Sequence, residues 1–161
     1  MEITHSGLAT VTLPSDREIV ITRVFNAPAQ LVFEAMTKPE HVRRWWGLRG
    51  STMSVCDIDL RVGGAWRYVL REEDGNEVGF HGTYREIEAP NRVVSTEVFE
   101  GFPDAESVNT VTLTEEDGKT TFTNRILHQN REYRDGHLNS GMEPGMQQTF
   151  DRLEELLASM T

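Results

Sequence analysis

Residues 140–161, SGMEPGMQQTFDRLEELLASMT, decide how the rest of the chain must be arranged. Met146, Phe150, Leu153, Leu156, Leu157 and Met160 recur at spacings of three and four, while Asp151, Arg152, Glu154 and Glu155 fill the other side. That is the pattern of a long amphipathic helix with one buried face. Its start has two readings, because Ser140 with Glu143 fits a capping box and Pro144 suits the first helical position. The residues before it are mostly strand-like, so the expected arrangement is a sheet crossed by one long helix, which encloses space between them.

Moving back from the helix, Gln129 to Asn139 is polar and charged and reads as a connection. Before it, Gly63-Gly64, Asp74-Gly75, Ala89-Pro90-Asn91, Gly101-Phe102-Pro103 and Asp117-Gly118 divide the chain at hairpin-like intervals. The runs between them predict an antiparallel meander of Thr52 to Leu60, Ala65 to Arg71, Val78 to Ile87, Arg92 to Glu100, Ser107 to Thr114 and Thr120 to His128. Earlier still, Ile19, Ile21 and Phe25 alternate with Val20, Thr22 and Val24, a β-branched run apolar on both faces that suits a strand between two packed surfaces. Pro28 then opens a short helix, Thr37 with Glu40 offers a capping box for a second, and Gly47 stops it. The expected order is one strand, two helices, six strands and a helix. Residues 1–15, which include Leu8, Val11 and Leu13, read either as an N-terminal arm or as an extra edge strand, with one domain over residues 16–161.

The composition narrows the function. Against 16 basic residues stand 26 acidic ones, a formal net charge of −10, which repels phosphate backbones and anionic lipid heads. Neither nucleic acid nor a membrane surface is an expected partner. At 161 residues the chain can bury a core without staples. Cys56 is the single cysteine, so no internal disulfide forms, and it reads as a small strand residue. With no basic-then-apolar leader and no apolar run of spanning length, the expectation is a soluble cytoplasmic protein, monomer or homodimer.

Several short motifs occur in one order: Arg23-Val24-Phe25-Asn26-Ala27-Pro28, Thr37-Lys38-Pro39-Glu40 with Trp45-Trp46-Gly47, Asp59-Leu60-Arg61-Val62-Gly63-Gly64-Ala65-Trp66, and Gly141-Met142 with Gly145. Together they resemble the signature of the activator of heat-shock-protein-90 ATPase homologue family, within the START-like (SRPBCC) helix-grip superfamily. The likeness runs from about Arg17 to Met160. It implies an α+β fold in which a curved antiparallel sheet of about seven strands grips the C-terminal helix, with a cavity that in relatives receives lipids, polyketides, hormones or other apolar molecules. It implies no single reaction, since the superfamily includes binders, transporters, cyclases and cochaperone domains. The eukaryotic proteins behind the family name carry an additional N-terminal domain that contacts the chaperone. This chain looks like the stand-alone bacterial type instead, which weakens chaperone activation as its role.

Trp66, Tyr68 and Leu70 share one strand face, which is expected to turn toward the helix and the cavity, and Phe80 and Tyr84 raise the same question of cavity wall against ordinary core. Trp45 and Trp46 are about 100 degrees apart on a helix, so one packs while the other lines an opening or joins a partner surface beside Arg43 and Arg44. The cavity candidates are therefore Trp45, Trp46, Trp66, Tyr68, Phe80, His81, Tyr84, Phe99, Met142, Met146 and Phe150. Methionines on the gripping helix suit an adaptable pocket. His81 and His128 fall on strands; facing inward, either could orient a polar ligand group or carry a proton beside Tyr84, Glu86 or Glu97.

No catalytic residue, metal or cofactor is singled out. The five histidines lack paired ligand spacing, Asp57-x-Asp59-x-Arg61 breaks a calcium loop at its fifth position, and no nucleophile elbow is present. The leading expectation is a binding domain for a small apolar or aromatic ligand. Its rivals are a cyclase- or aromatase-like enzyme using the same cavity, and a stress-related module that binds a chaperone or another protein.

Overall fold

The computed structural model describes residues 9–160. Its sheet is built from β1 (Thr10–Thr12), β2 (Glu18–Phe25), β3 (Thr52–Ile58), β4 (Ala65–Arg71), β5 (Glu77–Glu88), β6 (Arg92–Phe99), β7 (Glu106–Glu116) and β8 (Lys119–Leu127). The strand order is β1-β2-β8-β7-β6-β5-β4-β3, antiparallel at every step. The hairpin punctuation thus produces six consecutive strands, β3 to β8, and β2 closes onto the last of them. Thr10–Thr12 adds a short edge strand to the seven expected. The remainder of the N-terminal stretch read as an arm or edge strand, residues 1–8, lies outside the described residues.

Because β2 and β3 lie near opposite edges, the chain between them must cross the sheet. It does so as α1 (Ala29–Thr37) and α2 (Pro39–Trp45). The Thr37–Glu40 capping box does not form: Thr37 Oγ1 donates back to the Phe33 carbonyl at 2.7 Å, Lys38 takes the N-cap position and Pro39 starts α2. Proline at the first helical position needs no hydrogen bond there, so the box is dispensable. A second difference lies in Gln129 to Asn139, read as a connection. Residues Arg131–Leu138 form α3, whose N-cap Asn130 accepts a hydrogen bond from Tyr133 N at 2.8 Å. In α3 only Arg134 is buried, so the segment shows no apolar stripe by which periodicity could have found it.

The final helix, α4 (Met142–Met160), lies across the concave side and buries Phe150, Leu153, Leu156 and Leu157. It starts after Gly141, at φ 84°, a left-handed conformation that glycine adopts without strain. Ser140 Oγ donates to the His137 carbonyl at 2.7 Å, which closes α3 and leaves the Ser140–Glu143 box unused. Two apolar clusters hold the domain. One joins α4 and α1 to β2 and β8 through Ile19, Phe25, Val32, Phe122, Leu153 and Leu157, with Phe25, Phe122 and Phe150 in mutual edge-to-face contact. The other gathers Val42, Met53, Cys56, Trp66, Tyr68, Leu70 and Tyr84 around α2, β3, β4 and β5. Among the described residues no helix is long and apolar enough to cross a membrane.

Candidate functional site

The two clusters do not close on each other. Between the sheet and α4 lies a cavity of about 980 Å³, bordered by residues of both. Exposed lining residues at Leu48, Phe99 and Phe102 mark where it reaches solvent. Interiors otherwise pack with few voids larger than a water molecule. The period of two in a strand decides which side chains reach this space.

One wall is aromatic. Trp46, just past α2, sets its ring 4.9 Å from Tyr68 of β4 and 5.0 Å from Phe80 of β5, both edge-on, and Phe80 leads to Phe99 of β6 at 5.4 Å. Trp66 is 4.7 Å from Tyr68, and Tyr84 stands further along β5, opposite Ser95. From α4, Met142, Met146 and Phe150 face the same space. Trp45 is packed into the core with its indole N–H donating 2.8 Å to the Ala35 carbonyl, and it reaches the cavity only as part of the deeper wall. Burial drives the Tyr68 and Tyr84 hydroxyls above the usual phenol range, so both stay protonated donors.

His81 does not join this wall. It pairs with Arg67 in the β4–β5 register, on the face of the sheet turned away from α4, where its Nδ1 lies 2.8 Å from Glu100 Oε2. Arg67 makes two further bonds to that carboxylate at 2.8 and 2.9 Å. The Arg67 guanidinium first, and His81 second, hold Glu100 down to about 2. The strand parity that sends Phe80 inward sends His81 outward, so the suggestion that His81 touches a ligand in this cavity is corrected.

The far side of the cavity is polar, a band of which sequence reading raised only Glu97 and His128. Ser95 and Glu97 of β6, Ser107 and Asn109 of β7, and Asn124 of β8 all line it. Register places them side by side: Ser95 opposes Asn109, and Glu97 opposes Ser107. Asn109 Nδ2 donates 2.8 Å to Glu97 Oε1, while burial, working against that bond, raises the Glu97 carboxyl above the ordinary carboxylate range. The available signal was a run of polar residues at one parity on three successive strands. Val94, Thr96 and Val98 are buried on the opposite face of β6, so burial alone does not tell its two faces apart.

At one end of this band, His128 Nε2 lies 3.2 Å from His137 Nδ1 of α3. No group of three or more His, Cys, Asp or Glu side chains suited to a metal occurs among the described residues, so the contact is read as a hydrogen bond. Burial, then the neighbouring His137 and Arg134, brings His128 down to about 4, and burial lowers His137 as well. Both imidazoles stay neutral in the folded chain at pH values where the unfolded chain, near its ordinary value of about 6.5, takes up protons. Their contribution is therefore complete above about pH 6.5 and is lost as pH falls toward 4, on the order of 3 kcal/mol for His128. Urea unfolding at a series of pH values is expected to show this loss, and His128→Gln to show a shallower slope over the same window. Equal slopes for the two proteins would contradict the assignment.

A sheet that grips a C-terminal helix around a side-chain-lined void defines a helix-grip domain of the START-like kind. The family model described as "Activator of Hsp90 ATPase homolog 1-like protein" matches residues 26–158, and the chain belongs to that family. Solved structures agree on the fold. A protein from Rhodobacter sphaeroides superposes with a TM-score of 0.89 at 24% identity, over 94% of this chain and 99% of its own. A protein from Mycobacterium smegmatis gives 0.82 at 26% identity, over 93% and 97%. The AHSA1 protein from Silicibacter pomeroyi gives 0.73 at 20% identity, over 89% and 99%. No curated protein matches the chain in sequence.

Proposed function

We propose that this chain is a binding protein for a small apolar or aromatic molecule, held in the void between the sheet and α4. The observation that carries the reading is the void itself, about 980 Å³ with Trp46, Tyr68 and Phe80 along one wall and a few convergent polar groups on the other. That size and that mixture are typical of ligand sites, and a core of this size gains stability by filling such a space unless something else fills it. Methionines at 142 and 146 add side chains that reshape at little cost around different ligands.

A second reading, proton-transfer catalysis in the same void, has one observation in its favour. Glu97 and the His128–His137 pair line the cavity with proton affinities displaced by burial, as acid–base residues of active sites often are. Docking of a chaperone or another protein at the Trp45-Trp46 corner has less behind it. Trp45 is buried and Trp46 is turned toward the cavity.

Native mass spectrometry of the purified chain, followed by extraction and a thermal-shift panel of lipids, polyphenols and polyketide-like compounds, tests the binding reading. A reproducible added mass, or a compound that raises Tm, is the expected result. A clean mass and no shift across the panel would overturn it. Chemical conversion of an added compound would favour the catalytic reading instead.

A further inference from the structure

Glu97 stands in the polar band with half of its carboxyl unused. Asn109 Nδ2 donates 2.8 Å to Oε1, but Oε2 accepts no hydrogen bond among the described residues. Glu97 is half-buried, and its Oε2 is not sealed in the wall as Asn109 Oδ1 and Asn124 Oδ1 are, so it opens on the void. Ser107 faces it across the β6–β7 ladder, and Ser95 lies two residues along the same strand face. Phe99 lies two residues along in the other direction, about 7 Å away at strand spacing, and pairs with Phe80 of the aromatic wall. The carboxyl therefore sits where the polar and aromatic walls meet.

What this carboxyl lacks is a positive partner. The cavity is lined by one arginine, Arg92, and its Nε donates 3.3 Å to Glu86. His128, at the end of the band, stays neutral. Burial raises the Glu97 carboxyl, the Asn109 bond opposes that rise, and no cation contributes. Glu72 and Glu132 line the same void, so the balance of charge around it is negative. A cleft walled by one sign of charge draws in ions of the other sign and turns away its own. An organic ammonium meets each of these conditions: it supplies the missing charge, brings donors for Oε2 and the serine hydroxyls, and is attracted by aromatic ring faces. Its charge-assisted bond to Oε2 is roughly twice as strong as one from a neutral hydroxyl. Entry costs the ammonium part of its hydration, a cost limited here because folding has already desolvated the carboxyl and the void opens to solvent at Phe99 and Phe102.

Building on the binding reading above, we propose that the ligand is an organic cation, an amine whose ammonium pairs with Glu97 Oε2 while its apolar or aromatic body lies against Trp46, Tyr68 and Phe80. Glu97 is then the residue that sets the ligand class. The aromatic wall accepts the body of many molecules, and the carboxyl selects among them by charge.

Isothermal titration of the full chain near neutral pH with three molecules on one body tests this: 2-aminomethylnaphthalene, 2-naphthylmethanol and 2-naphthoate. The amine should bind about tenfold tighter than the alcohol, which has the same shape and keeps a donor, and the naphthoate should bind most weakly. In Glu97→Gln, whose amide oxygen can still accept from Asn109, the amine should lose about tenfold while the alcohol changes little, so that the preference disappears. Glu132→Gln removes an exposed lining charge and controls for general attraction of cations to an acidic chain; most of the preference should survive in it. A thermal melt shows that Glu97→Gln folds, and it should melt no lower than wild type, since it removes a charge that has no counter-ion. An alcohol that binds as tightly as the amine, an amine preference that persists in Glu97→Gln, an equal loss in Glu132→Gln, or a naphthoate that binds best would overturn the cation assignment while leaving the binding reading intact. Binding of none of the three would count against both.

Discussion

Neutralising both carboxylates that face Arg23, as Asp151→Asn with Glu154→Gln, is expected to cost the fold about 3–5 kcal/mol. Arg23 projects from β2 to the inside of the sheet and is 2% exposed. Its Nη1 lies 3.1 Å from Asp151 Oδ1, its Nη2 lies 4.0 Å from Glu154 Oε1, and its guanidinium carbon sits 5.1 Å from the centre of the Phe25 ring. Arg23 Nε has no acceptor among the described residues, so the charge already depends on these two contacts from α4. A guanidinium cannot shed its proton to escape burial, so removing the partners leaves a stranded charge. Asp151 is half exposed, and water there will hold the loss toward the lower end of the range. Arg23→Met removes charge and demand together and fills similar space, so it should cost less. Adding it to the double variant should recover much of the loss. Urea unfolding of the four proteins measures all of this. A loss below about 1 kcal/mol in the double variant would mean that water reaches Arg23, and would sink the argument.

Strong local signals made most of the fold legible. Dipeptides such as Asp74-Gly75 and Asp117-Gly118 sit at hairpin ends, and Gly75, Asp117 and Gly118 do adopt positive φ there. The α4 stripe was equally plain, because Leu153 and Leu157 are fully buried and their polar neighbours are not. Helix α3 was missed for the converse reason: it is held by an Asn130 cap and by Arg134 reaching the Ser15 carbonyl at 2.7 Å, contacts with no periodic trace.

The candidate site was legible on its aromatic side and on the methionines of α4, and only at Glu97 and His128 on its polar side. Trp66 and Tyr68 alternate with Arg67, a contrast that fixes which parity points inward. Strand β6 offers no such contrast: Val93, Ser95, Glu97 and Phe99 share the cavity side, while the more apolar set Val94, Thr96 and Val98 lies buried on the other. With Val93 and Phe99 on one face and Val94 and Val98 on the other, a hydrophobic-in rule does not choose between them, and hydrogen-bond registers with β5 and β7 are needed to place Ser95 and Glu97 inside. His81 went astray on the same ground, since its type suggested a role and its parity, set by Phe80 beside it, was not applied.

Gly82→Ala is expected to cost about 3 kcal/mol or more and to lower Tm on the order of 10 °C. A Cβ at this position would fall 1.8 Å from the Thr96 carbonyl oxygen and 2.7 Å from its carbon. Those are backbone atoms of the adjoining strand, which cannot rotate away as a flexible side chain would. The closeness has a structural reason. The β5–β6 register runs from Phe80↔Phe99 and His81↔Val98 to Tyr84↔Ser95, leaving Gly82 and Thr83 without ladder partners on β6, though they pair with Trp66 and Ala65 of β4. Side chains fill the gap: Trp66 Nε1 donates 3.2 Å to the Thr96 carbonyl, and Thr83 N donates 2.9 Å to Thr96 Oγ1. The indole can reach that carbonyl because position 82 has no side chain, its Nε1 lying 2.8 Å from where a Cβ would stand. An alanine therefore pushes β6 away and breaks the bond that anchors Trp66, disturbing the aromatic wall along with the sheet. Trp66→Phe separates the two effects, since it leaves Gly82 unstrained and only strips the Thr96 carbonyl of its partner, a loss of about 1–3 kcal/mol. If thermal melts found Gly82→Ala no less stable than wild type, β5 and β6 would have to lie further apart at this point, and the anchoring of Trp66 through Thr96 would fall with it.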